Sequence, residues 1–207
     1  MRDLLEGFLS LLAPPRCPGC DEVAQSAAPF CASCTSLLEP ASGAGAVFEY
    51  GGPIADAIQR FKYDGRSELG SVLGALMAAD SDRWAGRVDA VVPVPLHWRR
   101  RRSRGYDQAG LLARPVAKSL RVPLLLRGLR RVRNTPRQVD LPHGERQRNI
   151  AGAFAPWRLR GAGRVLLVDD VRTTGATLQA ASGALKAGGV SEVHAFVLAT
   201  RVLAQAT

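Results

Sequence analysis

Two carboxylates, Asp169 and Asp170, close the apolar run Val165-Leu166-Leu167-Val168, and a turn carrying Thr173, Thr174, Gly175, Ala176 and Thr177 follows at once. These residue types divide between two tasks. The N-terminus of a helix presents unpaired N–H groups and the positive end of a dipole, which suits a phosphate. The three threonines add hydroxyl donors, and Gly175 lets the backbone come close to an anion. A carboxylate would compete with a phosphate for those donors, so the acids need a different partner. Each accepts two hydrogen bonds at once, which matches the adjacent hydroxyls of a ribose. Phosphate on the turn and diol on the acids together describe a ribose 5-phosphate. The simpler reading, a strand end followed by a capped helix, uses the same residue types, because Asp and Thr are ordinary caps.

The elements that must hold these groups are legible around them. Val165–Val168 reads as a strand covered on both faces, ending at the acid pair. An Ala-rich helix is expected from about Ala176 to Ala187, stopped by Gly188-Gly189. Upstream, Val47–Tyr50 reads as a short strand, Ile54–Tyr63 and Leu69–Ala79 as helices, Ala90–Val92 as a buried strand and Asp107–Leu120 as a helix. Pro93 and Pro95 force an extended loop after that second strand, on the side where ligands sit in open parallel sheets. Pro123–Leu126 is a further candidate strand, Asn134–Arg148 a polar loop leading into a short helix, and Val190–Ala199 a last strand. Strands alternating with helices imply a parallel α/β sheet.

The four cysteines form one pattern, Cys17-Pro-Gly-Cys20 and Cys31-Ala-Ser-Cys34. Two such pairs are the spacing of zinc knuckles that share one tetrahedral ion, and four thiolates leave no open position, so the zinc would be structural. Two disulfides are the alternative, disfavoured in a reducing compartment. Residues 1–42 therefore read as an N-terminal helix followed by a zinc ribbon, Pro40–Ala46 as a linker, and 47–207 as the α/β domain.

The chain has 207 residues and a net charge of +10, carried almost entirely by Arg, with Lys62, Lys118 and Lys186 its only lysines. No apolar run is long enough to span a bilayer, and Leu4–Leu12 reads as an amphipathic helix rather than a signal peptide, so the expected compartment is the cytoplasm. The densest basic run holds Arg99, Arg100, Arg101, Arg102 and Arg104, flanked by Trp98 and Tyr106. A polyanion bound there, a nucleic-acid backbone with the aromatics as stacking surfaces, and a solvated loop all remain open. His97, His143 and His194 are isolated from one another and are expected to be structural or solvated.

LLVDDVRTTGAT resembles the phosphoribosyl diphosphate (PRPP) loop of type I phosphoribosyltransferases. The order CPGC…CASC, FKYDGR, VVPVPLHWRRRRSRGYDQAGLLA, NTPRQVDLPHGERQRNIAGAF and LLVDDVRTTGAT resembles, over almost the whole chain, the ComF/GntX family of competence-associated, phosphoribosyltransferase-like proteins. The family usually carries RGFNQ; here the element ends Tyr106-Asp107-Gln108.

The resemblance implies a type I phosphoribosyltransferase-like parallel sheet flanked by helices, preceded by the zinc ribbon. It assigns Asp169 and Asp170 to the ribose hydroxyls and as the catalytic pair, and Thr173, Thr174, Gly175, Ala176 and Thr177 to the 5-phosphate. It adds Mg2+ on the diphosphate, and the arginine loop as a candidate diphosphate clamp. Phosphoribosyl transfer passes through an oxocarbenium-like centre, so positioning and electrostatics suffice without a nucleophile. The first expectation is an enzyme, a pentosyl-type glycosyltransferase that moves phosphoribose from PRPP to an acceptor. The second is a non-enzymatic single-stranded-DNA-binding factor, working with DNA-uptake machinery in natural transformation and regulated through the PRPP site.

Overall fold

The computed structural model describes residues 16–23, 28–43, 45–98, 102, 104–133 and 152–201. A four-stranded, wholly parallel sheet organises them, with β1 (Ala46–Glu49), β6 (Glu192–Thr200), β5 (Arg164–Arg172) and β2 (Ala90–Pro93) side by side in that order. Helices α2 (Gly52–Tyr63), α3 (Leu69–Ala79) and α4 (Gln108–Leu120) cover one face, and α5 (Ala176–Ala187) packs on the other. A short helix α1 (Ala32–Thr35) belongs to the cysteine-rich segment, and a separate antiparallel ribbon pairs β3 (Leu129–Arg131) with β4 (Phe154–Pro156).

Val165 to Val168 have no exposed surface, as a central strand covered from both sides requires. Leu166 and Val168 face Ile58, Phe61 and Leu112, whereas Val165 and Leu167 face Leu178, Ala181 and Leu185. Gly70 and Gly74 let α3 press onto α4, since a Cβ on Gly74 would lie 2.9 Å from Pro115 Cγ.

Three boundaries differ from the sequence reading. The central strand does not end at the acids. It runs on to Arg172, because β6 is equally long and keeps pairing with it through Arg172 and Thr200. The start of the expected linker is not free but folds back on β1, with Pro40 bridging Phe48 and Ala41 N–H donating to Val47 O at 3.0 Å. Pro123–Leu126 makes a single bridge, Val91 to Leu124, and Leu126 turns out to solvent. The expected helix at Leu4–Leu12 and the loop at Asn134–Arg148 lie outside the described residues. Among the described residues no helix is long and apolar enough to cross a membrane.

Candidate functional site

The sheet loses a strand where β2 stops and β5 continues. Val94 N–H still donates to Val168 O at 2.8 Å, but Pro95 has no N–H to continue the ladder. Residues 169–172 are therefore paired on the β6 side alone among the described strands. Successive side chains on a strand point to opposite faces. Asp170 shares the face of Leu166 and Val168, beneath α2, and Asp169 shares the face of Val165 and Leu167. The Asp170 N–H donates to Asp169 Oδ1 at 2.9 Å, which folds the first carboxylate back over the peptide that follows it.

The residue that sequence reasoning missed is Lys62. Its Nζ lies 3.0 Å from Asp170 Oδ1, with 20% and 13% of the two side chains exposed. Burial works against the Lys62 charge, but Asp170, and more weakly Asp169, outweigh it and raise its pKa. The signal was present in the sequence: Ile54, Ile58 and Lys62 are four residues apart and share the buried stripe of α2.

Asp169 is pushed up to about 8, by burial first and the Asp170 carboxylate second, with Lys62 pulling the other way. The unfolded carboxyl titrates near 3.8. Between those values the folded chain holds a proton that the unfolded chain has lost. Stability therefore falls as pH rises from about 4 to about 8 and is flat above. Asp169→Asn removes this slope. Denaturant melts across that range should show the variant gaining on the wild type by at least about 1 kcal/mol; parallel profiles would remove the assignment.

The turn after the acids has the geometry of an open helix start. Gly175 caps α5 at φ +77°, a left-handed conformation that glycine adopts without strain, and it has no side chain to occupy the N–H groups ahead of it. The Thr174 hydroxyl accepts from Ala176 N–H at 3.4 Å, Thr173 and Thr177 lie partly exposed beside it, and Ala176 is buried. Acids and turn thus stand at one edge of the sheet.

Asp107 accepts from Gly110 N–H at 3.4 Å as the N-cap of α4. Asn and Asp cap equally well, so the departure from the RGFNQ pattern preserves this role. Tyr106 is not an open stacking surface: its ring stacks on Phe61 at 5.6 Å and its hydroxyl donates to the Phe61 carbonyl. Trp98 is exposed. Arg102 is exposed, and the Arg104 guanidinium sits 5.1 Å from the centre of the Tyr63 ring. Arg99, Arg100 and Arg101 lie outside the described residues, as do Arg137, Gln138, His143, Glu145, Arg146 and Asn149. His97 is buried beside Trp98, and His194 stacks on Trp84 at 4.9 Å.

The sulfur atoms of Cys17, Cys20, Cys31 and Cys34 all lie within 4.8 Å of one another, and none is in a disulfide. The Cys20–Cys31 sulfur separation is 3.7 Å. That matches the edge of about 3.8 Å expected of a tetrahedron with Zn–S bonds near 2.3 Å. Cys31 N–H points at the Cys17 sulfur at 3.4 Å. Burial opposes ionisation of Cys17, yet N–H groups from residues 20, 31 and 19 bring it down to about 6. Burial and the neighbouring thiols push Cys34 up. These four cysteines can hold a metal such as zinc. The segment is clamped to α2 and the loop after it. Arg60 donates to Pro18 O at 2.9 Å, and Arg66 pairs with Asp21 at 2.7 Å, which lowers the Asp21 pKa.

A parallel sheet with an acid pair and an open helix start beyond its central strand defines a phosphoribosyltransferase-like protein. Residues 108–204 match the family described as Phosphoribosyl transferase domain. The chain is 33% identical to Competence protein F of Haemophilus influenzae, covering 89% of this chain and 84% of that protein. It is 31% identical to the DNA utilization protein YhgH of Escherichia coli, over 88% and 82%. With Competence protein ComFC of Bacillus subtilis it shares 26% identity, over 73% and 62%. The chain belongs to the ComF family of competence-associated, phosphoribosyltransferase-like proteins.

Proposed function

We propose that the cleft at the end of β5 binds a ribose 5-phosphate compound, PRPP foremost, and that the protein transfers its phosphoribosyl group to an acceptor. One observation carries this reading. Asp169 and Asp170 sit where β5 has lost its β2 neighbour, immediately before a helix start that Gly175 leaves open. Residues 173–177 take the 5-phosphate on backbone N–H groups and hydroxyls. Asp170, ion-paired to Lys62, takes one ribose hydroxyl, and Asp169 takes the other.

In the transfer the C1–oxygen bond to the diphosphate breaks, its electron pair leaves with the diphosphate, and the acceptor bonds to C1. The acid pair grips the ring while positive charge builds on it. A bound Mg2+ would supply charge neutralisation on the diphosphate. Among the described residues only the cysteines cluster as metal ligands, so the ion would ride on ligand oxygens and water, as Mg2+ commonly does. On this reading the arginines from Arg99 to Arg104 neutralise the leaving group. On this reading residues 1–42 form a zinc-held module, the zinc being structural, and 47–207 the phosphoribosyltransferase-like domain.

A second reading is favoured by the names of the relatives and the net charge of +10: a cytoplasmic single-stranded-DNA-binding factor of the DNA-uptake machinery, regulated through the same site. Incubating the protein with PRPP, Mg2+ and a panel of nucleobases separates the two. Transfer predicts pyrophosphate release with at least one acceptor, abolished by Asp169→Asn with Asp170→Asn. Tight PRPP binding without release from any acceptor would leave the second reading.

A further inference from the structure

The β3–β4 ribbon carries chemistry that the cleft does not use. From Gln108 to Arg133 and from Gly152 to Val168 the sequence contains no Asp or Glu, while Arg121, Arg127, Arg130, Arg131, Arg133, Arg158 and Arg160 fall within those stretches. At one end of the ribbon, Trp157 is 49% exposed and Leu126 42% exposed. The guanidinium carbons of Arg127 and Arg158 lie 5.7 Å and 5.1 Å from the centre of the Trp157 ring. Backbone bonds fix this group, since Trp157 N–H donates to Gly128 O and Arg158 N–H to Arg127 O, both at 2.9 Å. Beside it a cleft of about 210 Å³ is walled by Leu124, Leu125, Leu126, Arg127, Arg158 and Arg160.

The Pro156–Leu159 side of this face lies at the far end of α5 from the threonine turn. Pro156 and Leu159 press on Gly188, just past the end of α5, where an added Cβ would lie 2.6 Å from Pro156 Cβ. The opposite end of α5 begins at Gly175, and twelve residues at 1.5 Å each separate the two by about 18 Å.

We propose that the ribbon is a contact face for single-stranded DNA, with Trp157 stacking on a base and Arg127, Arg158 and Arg160 holding the flanking phosphates. The proposal rests on the DNA-binding reading and places the contact here rather than at the Arg99–Arg104 loop. Charge complementarity selects a polyanion, because the patch has cations and no acid of its own chain segments. The exposed indole selects a flat partner, and base–aromatic stacking combined with a basic groove is how single strands are gripped without sequence preference. The cleft is smaller than the roughly 300–1,000 Å³ of pockets that enclose a whole small molecule, so it suits one part of a longer ligand.

The test is binding of the full-length protein to a fluorescent oligo-dT strand, to an abasic strand of equal length and to polyglutamate, each from 50 to 200 mM salt. Trp157→Ala should weaken oligo-dT binding by about 10-fold or more and leave abasic binding unchanged, and Trp157→Phe should restore most of the loss. Replacing Arg127, Arg158 and Arg160 with Ala should reduce the slope of log affinity against log salt by about 2. Three results overturn the proposal. If these variants bind as the wild type does while Ala at Arg100, Arg101 and Arg102 abolishes binding, the DNA reading stands and the contact lies on the loop. If the wild type fails to bind oligo-dT even at 50 mM salt, both fall together. If Trp157→Ala is neutral and the arginine variant loses DNA and polyglutamate equally, the face is a general anion surface.

Discussion

Saturating PRPP should raise the melting temperature of the wild type by about 5–10 °C, and the double variant Asp169→Asn, Asp170→Asn should show no rise. A ligand at 100 times its dissociation constant stabilises by about 2.7 kcal/mol. A chain of this length moves by roughly 2–4 °C per kcal/mol. The ligand-free baseline needs care, because Asp170 does more than face the cleft. It holds the Lys62 ammonium at 3.0 Å, with both side chains mostly buried. Removing one partner of such a pair strands the other, at a cost on the order of 3 kcal/mol. Asp170→Asn alone should therefore lower the ligand-free melting temperature, and adding Lys62→Met should recover most of that loss without recovering the PRPP response. Asp169→Asn should lose much of the response while raising the ligand-free melting temperature at neutral pH, because it removes the penalty that the wild type accumulates above pH 4. A full PRPP shift in the double variant would detach the acids from the ligand.

Metal removal should have a still larger effect on the amino-terminal segment. Structural zinc sites of small modules contribute about 10–16 kcal/mol of apparent binding energy at neutral pH, which rivals the whole stability of an ordinary domain. Few buried apolar side chains compensate here: Phe30 and the cysteines Cys17 and Cys34 are the buried hydrophobic residues described before Ala46. Chelation, or Cys17→Ser, should release about one zinc per chain, expose residues 16–40 to protease and lower the first melting transition by more than about 10 °C. The loss should reach α2, because Arg60 and Arg66 hold the segment from either side of Lys62. Reduced, metal-free protein with unchanged melting and protease resistance would refute a metal-held ribbon.

The parallel sheet was legible because the centres of its inner strands are continuous apolar runs, as at Val91-Val92 and Val165–Val168. The cysteine cluster was legible because ligand spacing survives without any knowledge of the fold. Lys62 was not recognised, although its place on the buried stripe of α2 marked it, because its partner is more than a hundred residues away and only the sheet brings the two together. The β3–β4 ribbon escaped for a related reason. Leu129–Arg131 and Phe154–Pro156 are three residues each, too short for any periodicity, and they exist only as a pair. The helix was legible over Asp107–Leu120, but with its start set one residue early Asp107 fell inside it instead of capping it.

Soaking a crystal with PRPP and Mg2+ tests the central claim most directly. The account predicts the 5-phosphate on the backbone N–H groups of residues 174–177, with the ribose hydroxyls on Asp169 and Asp170. Density for the ligand elsewhere, with the turn at Gly175 carrying none and Asp170 still bound only to Lys62, would contradict it.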